Sequence, residues 1–243
     1  MNRQLQQLFT GTGQAEWLGR LAEARRGKTP YKMFDTVRSW PGKDYLEAAF
    51  TEKTYNHRLV FSNEFVAEFD YPDYQTNAEA TRIMTQFFNR AQIPHTLGYT
   101  GGKSIHAHVF MEMGEVTPSD KTTERLNKIG FQSWWARNWI VGKYLFPVLD
   151  QIDAKFWLKQ KTSGLDKSML NKSKLVREFG AVHEKTGFRK TWLQTIPDEP
   201  PQTHEPEYPP TPQLWQCEDL FQKSLTYVQP PKPSGNQPWY SKG

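Results

Sequence analysis

The sequence predicts an α/β fold of the α+β kind: a split βαβ sheet containing antiparallel strands, with flanking helices on one face. Three observations predict it. Two segments alternate apolar and polar residues, F-V-A-E-F-D from Phe65 to Asp70 and S-I-H-A-H-V-F from Ser104 to Phe110. Helix-spaced apolar residues lie between them. A second, aromatic-rich helical stretch leads from them to a final strand, so the order reads β-α-β-β-α-β.

The elements follow in chain order. Residues 14–26 read as a helix with Trp17, Leu18 and Leu21 on one face and Gly27 at its end. Leu59–Phe61 and Glu64–Asp70 read as short strands. Thr76 and Glu79 have the spacing of a capping box. The helix they open runs to about Asn89 and buries Ile83, Met84, Phe87 and Phe88, with Pro94 beyond its end. Thr96–Tyr99 and Ser104–Met111 form two strands joined through Gly101-Gly102. A helix from about Asp120 carries Phe131, Trp134, Trp135 and Trp139 and stops at Pro147. Leu175–His183 is the last strand and loop. Eleven of the 17 prolines fall from Pro197 onward, so residues after about 195 read as a linker and tail. One short helix is expected there, at Leu214–Leu225, with Leu214, Leu220, Phe221 and Leu225 as a docking face.

At 243 residues with 14% aromatics, the chain is long enough to bury a sizeable core. Its net charge of +5 suits a polyanionic partner. Cys217 is the one cysteine, which excludes a disulfide framework and a cysteine-based zinc module. The first residues, M-N-R-Q-L-Q-Q-L-F, lack an apolar signal core, and no apolar run approaches the roughly 20 residues of a membrane span. The expectation is a cytoplasmic protein without a membrane partner.

Chemistry concentrates in three places. In the first strand, Phe65, Ala67 and Phe69 face the core while Val66, Glu68 and Asp70 face the other way. Paired carboxylates on one face repel unless a cation sits between them, and Mg²⁺ or Mn²⁺ suits carboxylate oxygen. Taken alone, E-x-D also describes a strand with two surface acids. Asp73, after Pro72, reads as a turn or helix-start residue.

In the second place, G-Y-T-G-G-K-S invites comparison with a P-loop, but the first glycine is out of register and a strand follows instead of a helix. As a strand it puts Ser104, His106 and His108 on one face. Lys103 is then placed to meet a phosphate as a point charge. Locally satisfied histidines and a metal site on H-A-H are the alternatives. In the third place, L-V-R-E-F-G-A-V-H-E-K-T-G from Leu175 to Gly187 gathers Arg177, His183 and Lys185 around Phe179-Gly180. Charge-assisted contacts to one triphosphate fit that set; a solvated basic turn is the plain alternative.

In this order the segments resemble the archaeo-eukaryotic primase superfamily. Glu68-Phe69-Asp70 matches its acidic pair, with Glu where Asp is usual. Ser104-Ile105-His106 matches its S-x-H strand. Leu165-Asp166 matches its hydrophobic-Asp motif, for which Asp150 and Asp153 are rival acids. Residues Lys174 to Gly187 match the R-L-I-R-x-P-G-S-L-H-G-K-T-G stretch of many archaeal members. The resemblance spans roughly residues 58–193.

It implies a primase or primase-polymerase catalytic domain over residues 1–195, helical over 1–50, with 196–243 as proline-rich linker and tail. Glu68, Asp70 and Asp166 would hold two divalent ions, Mg²⁺ or Mn²⁺, without zinc. Ser104, His106, Arg177, His183 and Lys185, with Lys103 added, would bind the incoming NTP or dNTP. The implied partner is a single-stranded DNA template, and the tail would reach a helicase or another replication module. Prokaryotic, plasmid or viral replication is the implied setting. A non-catalytic initiator module and a metal-dependent nuclease are the alternatives. Arg38, Lys43, His57 and Arg58, or Lys155, Lys159, Lys161, Lys167 and Lys172, are candidates to line a template groove. Trp134, Trp135 and Trp139 are candidates to stack bases, although Trp135 and Trp139 have core spacing.

Overall fold

The alternating segments form strands because each has one face that must be buried. In the computed structural model, which describes residues 50, 51, 54–61, 63–112, 129–171 and 174–226, these strands build a five-stranded sheet. Two strands precede it, β1 (Phe50–Thr51) and β2 (Thr54–Leu59). The sheet then takes β3 (Glu64–Glu68), β4 (Thr96–Tyr99), β5 (Ile105–Glu112), β7 (Thr191–Leu193) and β8 (Leu214–Gln216). Its order is β3-β5-β4-β7, with β8 parallel to the end of β5. Both β3 and β4 run antiparallel to β5, which lies between them. The helix α1 (Tyr74–Arg90) connects β3 to β4, so the split βαβ pattern is present.

The expected last strand pairs elsewhere. β6 (Leu175–Arg177) runs antiparallel to β2 in a separate three-stranded sheet, β1-β2-β6. The place beside β4 goes to β7. The architecture is mixed α+β, an open and mainly antiparallel sheet with flanking helices.

Sequence pattern decides which face is which. Phe65, Ala67 and Phe69 join Leu97, Tyr99, Ile105, Ala107, Val109 and Met111 in the main core. That face receives Met84 and Phe88 of α1, Ile140 of α2 (Ile129–Ile140) and Leu149, Ile152 and Phe156 of α3 (Phe146–Gln160). Burying such side chains stabilises by about 1.5–3 kcal/mol each before entropy is counted. The opposite face has a smaller cluster of Val60, Val66, Met169 and Val176.

Several boundaries differ from the sequence reading. Asp73 caps α1, accepting from the Thr76 N–H at 2.8 Å, so Thr76 lies inside the helix and there is no capping box on it. The helical stretch does not stop at Pro147. A π turn at Val141–Leu145 joins α2 to α3, and Pro147 lies in the first turn of α3, where its missing N–H costs little. Arg137 of α2 is fully buried and donates to the carbonyls of Phe61, Glu64 and Leu170, which ties α2 to the start of β3 and to the turn ending at Leu170.

The segment expected as linker and tail is laid against the domain. Backbone N–H groups of Arg189 and Trp192 donate to the Thr203 and Glu207 carbonyls. Arg82 holds the Ile196 and Pro197 carbonyls and the Asp198 carboxylate. β8 then joins the sheet, and α4 (Glu218–Leu225) puts Phe221 into the core. Proline blocks a helix, but it leaves carbonyls free to accept. The expected helix 14–26, the first part of the helix from Asp120, Arg38, Lys43 and Lys172 lie outside the described residues. Among the described residues no helix is long and apolar enough to cross a membrane.

Candidate functional site

The register of β3 against β5 places Glu68 directly opposite His106. Both lie on the face away from the helices. The Ser104 hydroxyl donates to Glu68 Oε1 at 2.6 Å, and His106 Nε2 lies 3.3 Å from Glu68 Oε2. Glu68 is 9% exposed, so it is not an ordinary surface acid. Burial opposes its ionisation, but the facing His106, the Ser104 hydroxyl and the charge of Lys174 outweigh that and hold the carboxyl down at about 2. Burial, reinforced by Lys190 and Arg177 against the pull of Glu68, lowers the pKa of His106.

Beyond Glu68 the chain bridges to a distant segment. Phe69 pairs antiparallel with Leu165, Asp166 N–H donates to the Glu68 carbonyl at 3.0 Å, and Asp70 N–H donates to the Gly164 carbonyl at 2.7 Å. In this register Asp166 stands opposite Glu68 and shares its face. The backbone therefore brings Glu68 and Asp70, and Asp166 from 98 and 96 positions further on, to one edge of the sheet.

Each outer acid has a lysine. Lys103 Nζ lies 3.0 Å from Asp70 Oδ1, and Lys174 Nζ lies 3.0 Å from Asp166 Oδ2. Burial raises Asp166, and its bonds from Ser168 and Lys174 bring the carboxyl below its ordinary range. Among the described residues no three His, Cys, Asp and Glu side chains are grouped as a ready metal site.

The rival acids have other work. Asp153 accepts from the Ser163 hydroxyl and from the Gly164 and Leu165 N–H groups at 2.7, 2.8 and 3.1 Å, and from the Tyr71 hydroxyl. It fixes the loop that carries Asp166. Asp150 is exposed and paired with Lys167.

The phosphate-seeking set converges in part, on the turn 100–103. Gly101 needs its glycine, with φ of +87° and no room for a Cβ against Phe188 and His183. Arg177 Nη1 donates to the Thr100 carbonyl at 3.2 Å, and the Thr186 hydroxyl donates to the Gly101 carbonyl at 2.6 Å. The His183 ring lies over Gly102, where an added Cβ would stand 2.7 Å from Nε2. Burial lowers the pKa of Arg177, and the charges of Glu184 and Glu68 oppose that shift. Its Nε is buried without a hydrogen-bond partner among the described residues. Lys185 stays exposed at the tip of the turn, away from this convergence, and Lys103 is committed to Asp70 and the Tyr71 carbonyl.

Four participants carry weaker sequence signals. His57 lies opposite Arg177 in the β2–β6 pair. Burial lowers its pKa, with Arg177 next and Lys190 and His106 also felt, so it belongs beside this cluster. Lys174 and Lys190 have no signal of their own beyond being basic. Glu64 has one: it shares the alternation of Glu68, and it bonds His108 Nδ1 at 2.7 Å. With Lys190 Nζ 2.8 Å from its Nε2, His108 has neither ring nitrogen open to a metal, which removes H-A-H as a metal site.

Trp134, Trp135 and Trp139 are half-buried, and Trp134 Nε1 donates to the Leu170 carbonyl. Among the described residues Trp157 is 50% exposed on α3, near exposed Lys155 and Lys159 and the helix C-cap Lys161, and Tyr144 is 40% exposed. No family model matches the chain, and no curated protein matches it.

Proposed function

We propose that this chain is a template-dependent nucleotidyltransferase of the primase or primase-polymerase type, with an archaeo-eukaryotic primase fold. The observation that carries the reading is the backbone bridge at Phe69 and Leu165, which sets Asp166 opposite Glu68, one residue pair away from Asp70 and Gly164. Acids on one face repel one another; Lys103 and Lys174 offset that here, and divalent cations would offset it when bound. The same face meets the turn that Arg177 and His183 approach.

The donor set fits Mg²⁺ or Mn²⁺, since all three groups are hard carboxylate oxygens and Glu68 stays ionised. Glu68, Asp70 and Asp166 would hold the ions, which would supply charge neutralisation at the reacting phosphate and an activated hydroxyl. The protein's own part is binding and orientation. Arg177 and His183 take the triphosphate, with Lys185 reaching from the tip. Lys103 and Lys174 balance Asp70 and Asp166 while no substrate is bound. Ser104 and His106 fix the Glu68 carboxylate. The reaction transfers a nucleotidyl group to a primer 3′-hydroxyl and releases pyrophosphate. Template binding falls to the basic surfaces, with the lysines around Trp157 as the best-exposed group.

The lysine pairs also favour a second reading, a non-catalytic nucleic-acid module in which those ammonium groups replace metal permanently. Nucleotide binding separates the two. Metal-dependent binding of an NTP or dNTP, weakened about tenfold by His183→Ala or Lys185→Ala, is the expected result. Absence of nucleotide binding with DNA binding retained would favour the second reading.

A further inference from the structure

His106 and His108 project from the same face of β5, and one buried ammonium serves both. Lys190 Nζ lies 3.2 Å from His106 Nδ1, 2.8 Å from His108 Nε2 and 2.8 Å from the Arg177 carbonyl. Lys190 is 0% exposed, and its Nζ stands 4.7 Å from the centre of the Phe179 ring. Gly98 makes the room. A Cβ there would stand 2.7 Å from the Phe179 ring and 2.9 Å from Lys190 Cε.

The positive charge of Lys190 bears on both His57 and His106; as an ammonium it has three hydrogens and no lone pair, so all three of its neighbours accept. A neutral imidazole has one N–H and one bare nitrogen. A ring nitrogen that accepts from Lys190 is bare, and the proton must sit on the other one. His106 therefore carries its proton on Nε2, 3.3 Å from Glu68 Oε2. His108 carries its proton on Nδ1, 2.7 Å from Glu64 Oε1. One lysine sets opposite tautomers on two histidines.

We propose that Lys190 is a positioning residue, fixing His106 in the tautomer that turns an N–H toward Glu68 and the nucleotide side of the site. In that tautomer His106 is a donor to carboxylate or phosphate oxygen. In the other it would present a lone pair to an anion and repel it. The functional consequence rests on the nucleotidyl-transfer reading; the tautomer assignment does not.

The test is ¹⁵N NMR of the histidine rings in the full chain, followed by nucleotide kinetics. In the wild-type protein His106 should be bare at Nδ1 and protonated at Nε2, and His108 the reverse. Reversed or averaged tautomers would overturn the proposal without any variant being needed. In Lys190→Met, which keeps the length and loses the ammonium, His106 should redistribute between tautomers. The apparent KM for nucleotide should rise about tenfold with a smaller change in kcat. Lys190→Gln, which keeps an N–H donor, should recover most of that loss. An unchanged His106 tautomer and KM in a folded Lys190→Met variant would make Lys190 a packing residue and end the proposal. Predicted tautomers in a wild-type protein that binds no nucleotide would sink the nucleotidyl-transfer reading and leave the assignment standing.

Discussion

At the scale of the residue, Glu68 joins the chemistry to stability. Its carboxyl is held below the ordinary 4.5, at about 2, so between those values the unfolded chain binds the proton and the folded one does not. The resulting stability is fully present above about pH 4.5 and is lost as pH falls toward 2. Glu68→Gln should therefore lower stability by about 2 kcal/mol at neutral pH, with the difference shrinking through that acid window; thermal unfolding against pH measures it. A constant difference would mean that Glu68 is not a low-pKa carboxylate. The alternation of F-V-A-E-F-D sets Glu68 on the face away from the core, and that of S-I-H-A-H sets Ser104 and His106 on a common face, because strand period alone decides both. Lys190 and Lys174 are not legible in this way. Each sits in an irregular segment, and their meaning comes from Gly98 and Asp166, which contact them only in the folded chain.

At the scale of the element, the turn 100–103 and the hairpin around His183 act as one unit. The double glycine suggests a backbone open to a ligand, and the structure fills that space with the His183 ring. Gly102 does not have a positive φ, so alanine is tolerated by the backbone, but its Cβ must push Nε2 aside. Gly102→Ala should raise the apparent KM for nucleotide several-fold with a folded protein and little change in melting temperature. An unchanged KM would place His183 outside the nucleotide site. Strand positions are legible because alternation survives in a single sequence. The pairing of β6 is not, since Leu175–Arg177 has only three residues and the apolar pattern marks only the end of its partner, β2. The π turn before Pro147 is hidden for a related reason. A proline in a helical pattern marks either a stop or a first turn, and tertiary packing of Ile140, Leu145 and Leu149 selects the second.

At the scale of the whole molecule, the proline-rich stretch is part of the domain. Composition argues against helix and central strand there, and that much holds for 197–213. It does not reveal that extended chain docks on β7 through carbonyls, or that β8 and α4 complete the sheet and core. Removing residues 197–243 should lower the melting temperature and expose the face of α2 that α4 covers, because Phe221 and the β8 pairing are lost; a destabilisation of roughly 3 kcal/mol or more is expected from one large core side chain and a strand. Unchanged melting after truncation would return the stretch to a tail. Under the proposed function, the three acids brought to one face carry metal-dependent nucleotidyl transfer. The most direct measurement is primer synthesis and extension on single-stranded DNA with labelled NTPs and dNTPs in Mg²⁺ or Mn²⁺, run beside Asp70→Ala. Metal-dependent products that vanish in a folded Asp70→Ala variant are the expected result. Full activity in that variant, or no products from a wild-type protein given either a bare template or a primed one, would contradict it.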